Sequence, residues 1–322
     1  MKNAMMLCAG FGSRLGELSN HWPKPLLPML NVPILEWGIS HLAKSGIENI
    51  VINLHHKAEL FKESIGDGSR FGVQIQYSFE KEILGTGGGL KKALPLLDPE
   101  GKDDPFLSIN GKLIFDLDIK KLSQSFDAQS LGMMVVRKVP DALTWGAVDV
   151  DESMRVRNIL GEGKYMFCGA HVIRPSVVKN FPEGEACTVR QGYLPWIQAG
   201  GRVDAFEHKD GYFAEHSIPK RYLQGNIDLL RDQVVSNRPA LESYPPLNMG
   251  KGATIVEPVF IGQGVSIGDE CTVGPNVVLG NNVVVASQSK IKNTVVWADT
   301  RVEGDVDQCI LTPSSRVDAS KE

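Results

Sequence analysis

The feature that most limits the fold is a six-residue period through residues 259–312. Written in sixes, the chain reads VFIGQG, VSIGDE, CTVGPN, VVLGNN, VVVASQ, SKIKNT, VVWADT, RVEGDV and DQCILT. This period is typical of a parallel β-helix, in which one side chain per flat face stacks inside a triangular prism. With about three hexads per coil, the run predicts about three coils. We expect the third positions to point inward: Ile261, Ile267, Val273, Leu279, Val285, Ile291, Trp297, Glu303 and Cys309.

The repeat resembles hexapeptide-repeat domains, and that resemblance implies a left-handed β-helix over residues 253–318. Many such domains are acyltransferases that use a histidine as general base, whereas no histidine follows His216 here. We therefore expect oligomerisation or regulation from this domain rather than acetyl transfer. Residues 236–252 are rich in Pro, Ser and Asn, which is typical of a linker. Residues 1–235 then form the preceding domain.

The N-terminus predicts a phosphate-binding turn. An apolar run from Ala4 to Ala9 indicates a buried strand that leads into a turn with glycines at 10 and 12. Glycine lets the backbone approach a ligand closely and point its N–H groups at an anion. Arg14 and Lys24 add positive charge. The run lacks the Gly-Lys-Ser/Thr of a P-loop, and Leu15 stands where the dinucleotide fingerprint needs glycine.

Alternating apolar periods predict an α/β domain. The order is strand to Ala9, helix Ile34–Gly46, strand Asn49–Leu54, helix Ala58–Ile65 and strand Val73–Tyr77. Such an alternation predicts a mostly parallel sheet whose ligands bind at the carboxyl ends of the strands. Further strands are expected at 105–110, 132–137, 167–173 and 202–207, an antiparallel ribbon at 145–150 and 156–160, and helices ending at 97, 199 and 231.

Two motifs resemble those of sugar-1-phosphate nucleotidyltransferases, whose pattern is roughly L-A-A-G-x-G-[ST]-R-[LM] followed by P-K-P-L. The resemblance implies a three-layer Rossmann-like domain in which Arg14 stabilises the transition state and Lys24 holds the transferred phosphate. The segment Leu84–Gly89 is similar to uridylyltransferases for N-acetylmuramate 1-phosphate and guanylyltransferases for mannose 1-phosphate, and its run of consecutive glycines, residues 87–89, favours UTP. By the same resemblance the nucleotide contacts are Leu7, Ala9, Gly10, Gly12, Ser13, Glu80, Gly85, Thr86 and Asn110.

The sugar side follows from the same resemblance. Gly146, Glu162 and Gly169 match positions that contact the sugar in the family, although Gly163 stands where the family has a lysine. His216 is a further candidate for a substrate contact.

The magnesium site is where the sequence departs from the family. The resemblance implies Mg²⁺ on two aspartates, but Lys112 and Glu215 occupy those positions. A lysine has the same net charge, +1, as an aspartate that holds one Mg²⁺, but it cannot coordinate phosphate oxygens as a metal does. Asp118 is expected to cap the helix that begins at Ile119 rather than to replace a ligand. Two interpretations stay open: nucleotidyl transfer assisted by Lys112 as a catalytic residue, or a catalytically silent nucleotide-binding homologue.

Composition limits the partners. A chain of 322 residues has room for two domains, and a net charge of −4 gives no reason to expect nucleic acid or a membrane. Five dispersed cysteines are typical of reduced thiols. With no signal peptide recognised, we expect a cytoplasmic protein whose partners are an NTP, a sugar 1-phosphate and, through the β-helix, a second copy of itself.

Overall fold

The structure, a computed structural model, describes residues 1–231 and 237–321. The predicted boundary between residues 235 and 236 lies outside them. Contacts divide the chain into two compact units that differ from the sequence domains. The first unit comprises residues 1–10, 39–111 and 116–211, and the second comprises 11–38, 112–115 and 212–322.

The first unit is built on one nine-stranded sheet. Its strands are β1 (Asn3–Leu7), β2 (Asn49–Leu54), β3 (Gln74–Phe79), β4 (Phe106–Asn110), β5 (Met133–Lys138), β6 (Val148–Val150), β7 (Val156–Ile159), β8 (Tyr165–Ile173) and β9 (Asp204–Glu207). The spatial order is β7-β6-β8-β4-β1-β2-β3, with β5 pairing β8 and β9 beyond this path.

The predicted parallel core is confirmed. Strand β1 pairs in parallel with β2 and β4, and β2 pairs in parallel with β3. Strand β8 enters antiparallel between β4 and β5, and β6 and β7 form the expected antiparallel ribbon. The interior of β1 is fully buried at Ala4, Met5 and Met6, which explains its continuous apolar run.

Helix ends agree with the sequence within a few residues. The α-helices are Leu18–His21, Ile34–Lys44, Ala58–Ile65, Gly85–Leu97, Ile119–Ser125, Pro175–Val178, Leu194–Gln198 and Pro219–Leu230. The capping prediction for Asp118 is confirmed, because its Oδ1 accepts a hydrogen bond from the Lys121 backbone N–H at 2.8 Å. The helix expected over 189–199 is present in two parts, because Thr188–Tyr193 are π-helical and Leu194–Gln198 are α-helical.

The second unit contains the predicted β-helix. Its short strands form three parallel stacks. They are Asn248–Met249, Ser266–Ile267, Val284–Val285 and Arg301–Val302 on one face; Thr254–Ile255, Thr272–Val273, Lys290–Lys292 and Val306–Asp307 on the next; and Val259–Ile261, Val277–Leu279, Thr294–Val296 and Cys309–Leu311 on the third, where Arg316–Asp318 adds an antiparallel strand. Pairing begins at Asn248, inside the predicted linker, and each of the three faces carries four parallel strands rather than three. The left-handed sense stays a prediction.

The hexad register expected after Ile291 is wrong. Neighbouring coils pair 18 residues apart at Val273 and Ile291, 17 apart at Leu279 and Val296, and 15 apart at Ile291 and Val306. Because the later turns are shorter, Val296 and Val302 take the inward positions expected for Trp297 and Glu303. Val306 takes the place opposite Ile291 that was expected for Cys309. Cys309 itself is still part of the buried core of the prism, together with Leu311, which pairs with Val296.

Trp297 belongs to a second core of the same unit. This core joins the segment that follows the glycine turn, the helix Pro219–Leu230 and the outer wall of the β-helix. The members with almost no exposed surface include Leu15, Leu18, Leu27, Met29, Trp37, Tyr222 and Ile310. The phosphate-binding segment is therefore packed on the solenoid.

Two further expectations can be compared with the structure. All five cysteines have free thiols, as predicted. Within residues 1–231 and 237–321, no helix has the length and apolar character needed to cross a membrane.

Candidate active site

In the first unit, three predicted strand ends meet at the carboxyl edge of the sheet. Leu7 at the end of β1 pairs with Asn53 on β2 and with Asn110 on β4. The backbone N–H of Cys8 donates to Asn53 Oδ1 at 2.8 Å, so this asparagine holds the chain as it leaves β1. A side chain at Gly10 would meet open space, which leaves the turn accessible to a ligand. Ligands of parallel sheets bind at this edge.

Glu80 lies beneath this edge and supports it. The residue has no exposed surface. Its carboxylate accepts hydrogen bonds from Asn53 Nδ2 at 2.7 Å and from the Leu84 backbone N–H at 3.0 Å. Glu80 therefore links β2 to the glycine-rich turn. Its predicted contact with the nucleotide stays a prediction, and the geometry gives it a positioning role.

The glycine-rich helix start is packed against protein. A Cβ at Gly85 would lie 2.6 Å from the Ala186 carbonyl oxygen, and one at Gly88 would overlap the Gly184 carbonyl oxygen. The Gly87 N–H donates to Ala186 at 2.7 Å. The close approach that these two glycines allow is thus to residues 184–186. Thr86 Oγ1 accepts a hydrogen bond from the Thr188 backbone N–H at 2.8 Å.

Two of the predicted sugar-side glycines are required by local geometry. Gly169 has φ +71° at the irregularity of β8, and a Cβ there would clash with the Asn110 side-chain nitrogen. Gly146 has φ +76°. Glu162 is exposed. Glycine stands at position 163, where the family has a lysine, because a side chain there would overlap the Val148 carbonyl oxygen.

In the second unit, the turn predicted to bind phosphate packs against its own lysine. Gly12 has φ +73°, and a Cβ there would lie 3.2 Å from Lys24 Cβ. The turn Ser13–Leu15 that follows leaves Ser13 and Arg14 exposed. Lys24 is only 8% exposed, and its Nζ donates to Ser217 Oγ at 3.0 Å. Burial and the nearby charges of Lys112 and Arg14 lower the pKa of Lys24 to about 8.

Lys112 and Glu215 are brought together by a two-stranded pairing. Strands Leu113–Phe115 and Phe213–Glu215 run antiparallel, with Glu215 opposite Leu113. Lys112 Nζ then lies 2.8 Å from Glu215 Oε2 and 3.1 Å from Ser217 Oγ. Ser217 also donates to Glu215 Oε2.

Arg221, in the first turn of the helix Pro219–Leu230, completes the arrangement. Its guanidinium lies 2.5 Å from Glu215 Oε1, so both carboxylate oxygens carry a cation. Burial would raise the pKa of Glu215, but the charge of Lys112 and hydrogen bonds from Lys112, Ser217 and Arg221 lower it to about 2. We call Lys24, Lys112, Glu215, Ser217 and Arg221 the cationic cluster; its three cations and one carboxylate leave a net charge of +2.

This donor set does not fit a divalent metal. Mg²⁺ needs an octahedron of oxygen ligands, whereas the one carboxylate present is bound to two cations. In the described part of the chain, no group of three or more His, Cys, Asp and Glu side chains is placed to hold a metal ion.

The expectation that His216 contacts substrate is wrong. Its ring has no exposed surface, and burial lowers its pKa to about 4. A Cβ at Gly225 would overlap His216 Nε2, so the ring fills the space left by that glycine. Its role is to pack the end of strand Phe213–Glu215 against the helix Pro219–Leu230.

The sequence analysis missed Asn53, Ser217 and Arg221. Asn53 had a readable signal, since it is a polar residue near the end of an apolar strand beside β1. Ser217 and Arg221 had weaker ones: they follow Glu215 at two and six residues, and only the fold shows that they converge on it.

Comparison with known proteins identifies the family. Residues 3–161 match the family model described as Nucleotidyl transferase, and residues 255–321 match the GMPPB C-terminal domain. The chain belongs to the sugar-1-phosphate nucleotidyltransferase family. The fold expected for that family, a Rossmann-like domain with a C-terminal β-helix, is the one observed.

Two relatives of the family show the range of substrates. A mannose-1-phosphate guanylyltransferase of Mycobacterium tuberculosis is 29% identical over 250 residues, which cover 75% of this chain and 68% of the relative. A D-glycero-alpha-D-manno-heptose 1-phosphate guanylyltransferase of Campylobacter jejuni is 35% identical over 149 residues, 46% of this chain and 63% of that protein.

A solved structure is similar as well. HddC from Yersinia pseudotuberculosis, complexed with GMP-PN, superposes with a TM-score of 0.62 at 25% identity, covering 71% of this chain and all of HddC. Family members act on NTPs and sugar 1-phosphates, which are the partners expected from the sequence.

Proposed function

We propose that this chain transfers a guanylyl group from GTP to a sugar 1-phosphate and releases pyrophosphate. The observation that carries the proposal is the phosphate turn of the second unit, where Gly12 packs over Lys24 and Arg14 is exposed beside it. Together with the cationic cluster, these residues form a strongly positive site for a triphosphate. The names of the two guanylyltransferase relatives favour GTP over UTP.

The reaction requires little acid–base help from the protein. A phosphate oxygen of the sugar 1-phosphate attacks the α-phosphorus of GTP, a new P–O bond forms, and the bond to the β-phosphate breaks as pyrophosphate leaves. Because the attacking oxygen is already ionised, the protein must align the reactants and neutralise charge. Arg14 would neutralise the leaving pyrophosphate, and Lys24 the phosphate in transfer. The sugar would lie near Gly146, Glu162 and Gly169.

A pyrophosphate-release assay tests the proposal. The full chain is incubated with each of GTP, UTP, ATP and dTTP and with mannose, glucose and heptose 1-phosphates, in the presence of Mg²⁺. We expect release with GTP, and a decrease of about 100-fold or more in kcat for Arg14→Gln and Lys24→Gln. Lys251→Gln, an exposed lysine of the same unit, is the matched control and should keep full activity.

A second function is favoured by the ion pair between Lys112 and Glu215. Since it occupies the positions of the family's metal-binding aspartates, the chain could instead be a catalytically silent protein that binds nucleotide or nucleotide-sugar. Nucleotide binding without pyrophosphate release from any substrate pair would favour this function and refute transfer. The silent protein is further supported if the double change Lys112→Asp and Glu215→Asp then produces turnover.

A further inference from the structure

The carboxylate of the cationic cluster is already paired with two cations before any ligand binds. Glu215 Oε2 lies 2.8 Å from Lys112 Nζ, and Glu215 Oε1 lies 2.5 Å from the Arg221 guanidinium. Ser217 Oγ receives Lys112 at 3.1 Å and Lys24 at 3.0 Å, so it joins the two ammonium groups. These contacts form one connected network inside the second unit.

A divalent cation cannot enter this network without breaking it. To reach Glu215, it would have to displace both Lys112 and Arg221. It would also lie within a few ångströms of ammonium groups that repel it, in a place where burial weakens solvent screening. The side chain of Glu215 is only 8% exposed, which leaves little room for the waters that Mg²⁺ retains.

An anion, in contrast to a divalent cation, can bind beside this network without breaking it. The Lys112 side chain is 26% exposed and has, in its ammonium group, a third N–H beyond those that point to Glu215 and Ser217. Phosphate oxygens could accept from it while the ion pair stays intact. The net charge of +2 favours the most highly charged form of a nucleotide, which is the metal-free one.

We propose that Lys112 is a built-in cation, so that this site binds the phosphate chain of a nucleoside triphosphate without a divalent metal. Glu215 and Arg221 hold the ammonium group in place. This inference rests on the proposed function only in requiring that a nucleotide binds.

Calorimetric titration of the full chain with GTP, in EDTA and in excess Mg²⁺, tests the inference. For the wild type, we expect the dissociation constant in EDTA to be equal to or lower than that in Mg²⁺. Lys112→Met should weaken binding at least tenfold in EDTA. Lys112→Asp should weaken it further in EDTA and recover in Mg²⁺, because its carboxylate can hold the metal. Lys251→Asp makes the same charge change on an exposed site and should have little effect.

The outcomes separate this inference from the proposed function. Wild-type binding that is at least tenfold weaker in EDTA than in Mg²⁺ overturns the inference, as does wild-type affinity in a Lys112→Met protein whose circular dichroism is unchanged. Metal-independent binding without pyrophosphate release supports the inference and refutes transfer. If no nucleotide binds under either condition, both fail.

Discussion

The hydroxyl of Tyr222 links the solenoid to the segment that carries Lys24, and removing it provides a direct test of that link. Tyr222 lies on the helix Pro219–Leu230 and has no exposed surface. Its hydroxyl donates to the Pro28 carbonyl oxygen and accepts from Trp297 Nε1 at 3.1 Å. Trp297 itself is 5% exposed. All three groups lie within the second unit.

The expected cost of Tyr222→Phe follows from its two partners. The ring remains, so no cavity term applies, but the Pro28 carbonyl and the Trp297 N–H are left buried without a hydrogen bond. Each buried unsatisfied group costs about 1–3 kcal/mol, so the free energy of unfolding should fall by about 2–6 kcal/mol. Trp297→Phe should cost about 2–3 kcal/mol, since a smaller ring leaves a void and one hydrogen bond is lost.

Urea unfolding followed by circular dichroism measures both changes. The double variant should be less destabilised than the sum of the two single variants by about 1 kcal/mol, because the shared hydrogen bond can be lost only once. Tyr244→Phe, which removes an exposed hydroxyl, is the control and should change stability by about 0.5 kcal/mol at most. A Tyr222→Phe protein as stable as the Tyr244→Phe control would refute the link.

Three other substitutions test the site and the solenoid. Lys24→Met should raise the free energy of unfolding at pH 7 by up to about 3 kcal/mol, because the folded-state pKa of Lys24, about 8, lies below the usual 10.5. The stability of the wild type should rise as the pH increases from 8 to 10.5, so unfolding curves in this pH range should show a smaller difference between the variant and the wild type. Gly169→Ala should weaken GTP binding about tenfold by calorimetry, since its methyl group displaces the neighbouring asparagine amide, whereas Gly101→Ala, also at positive φ but in open space, should leave binding unchanged. Val302→Asp should lower the melting temperature of the solenoid steeply, because Val302 points into the prism, whereas Glu303→Ala should not. The reverse result would favour the uniform hexad register, in which Glu303 points inward.

The elements that the sequence predicted are those with a strong local signal. Strands β1 and β2 are continuous apolar runs because both faces of the sheet are covered, and Asp118 could be recognised as a cap from its position before a helical period. The first six hexads are regular, and Ile261 to Ile291 point inward as expected. In each case, the residues that make the contact lie close together in the sequence.

The errors arise where a contact depends on distant residues. Trp297 is apolar and therefore fits the inward position of its hexad, so the sequence did not indicate that the coil from Leu279 to Val296 is one residue shorter. The hydrogen bond that Glu80 accepts from Asn53 was missed because Asn53 lies 27 residues earlier, while the predicted contact of Glu80 with the nucleotide stays a prediction. The pairing of Lys112 with Glu215 spans 103 residues and depends on a two-stranded ribbon that neither segment predicts alone.

The solenoid has a structural role in the site that its repeat pattern does not indicate. Leu15, Leu27 and Met29 flank the turn and the lysine segment, and they share one buried core with Trp297 and Ile310 of the solenoid. A shorter coil turns Trp297 out of the prism, and it thereby becomes available to that core. The irregularity in the repeat thus adds Trp297 to the other outer-wall residues of the solenoid in this core, Phe260, Val278, Val295 and Ile310. Since a desolvated lysine destabilises the fold, the segment around Lys24 requires such support, and this core supplies it.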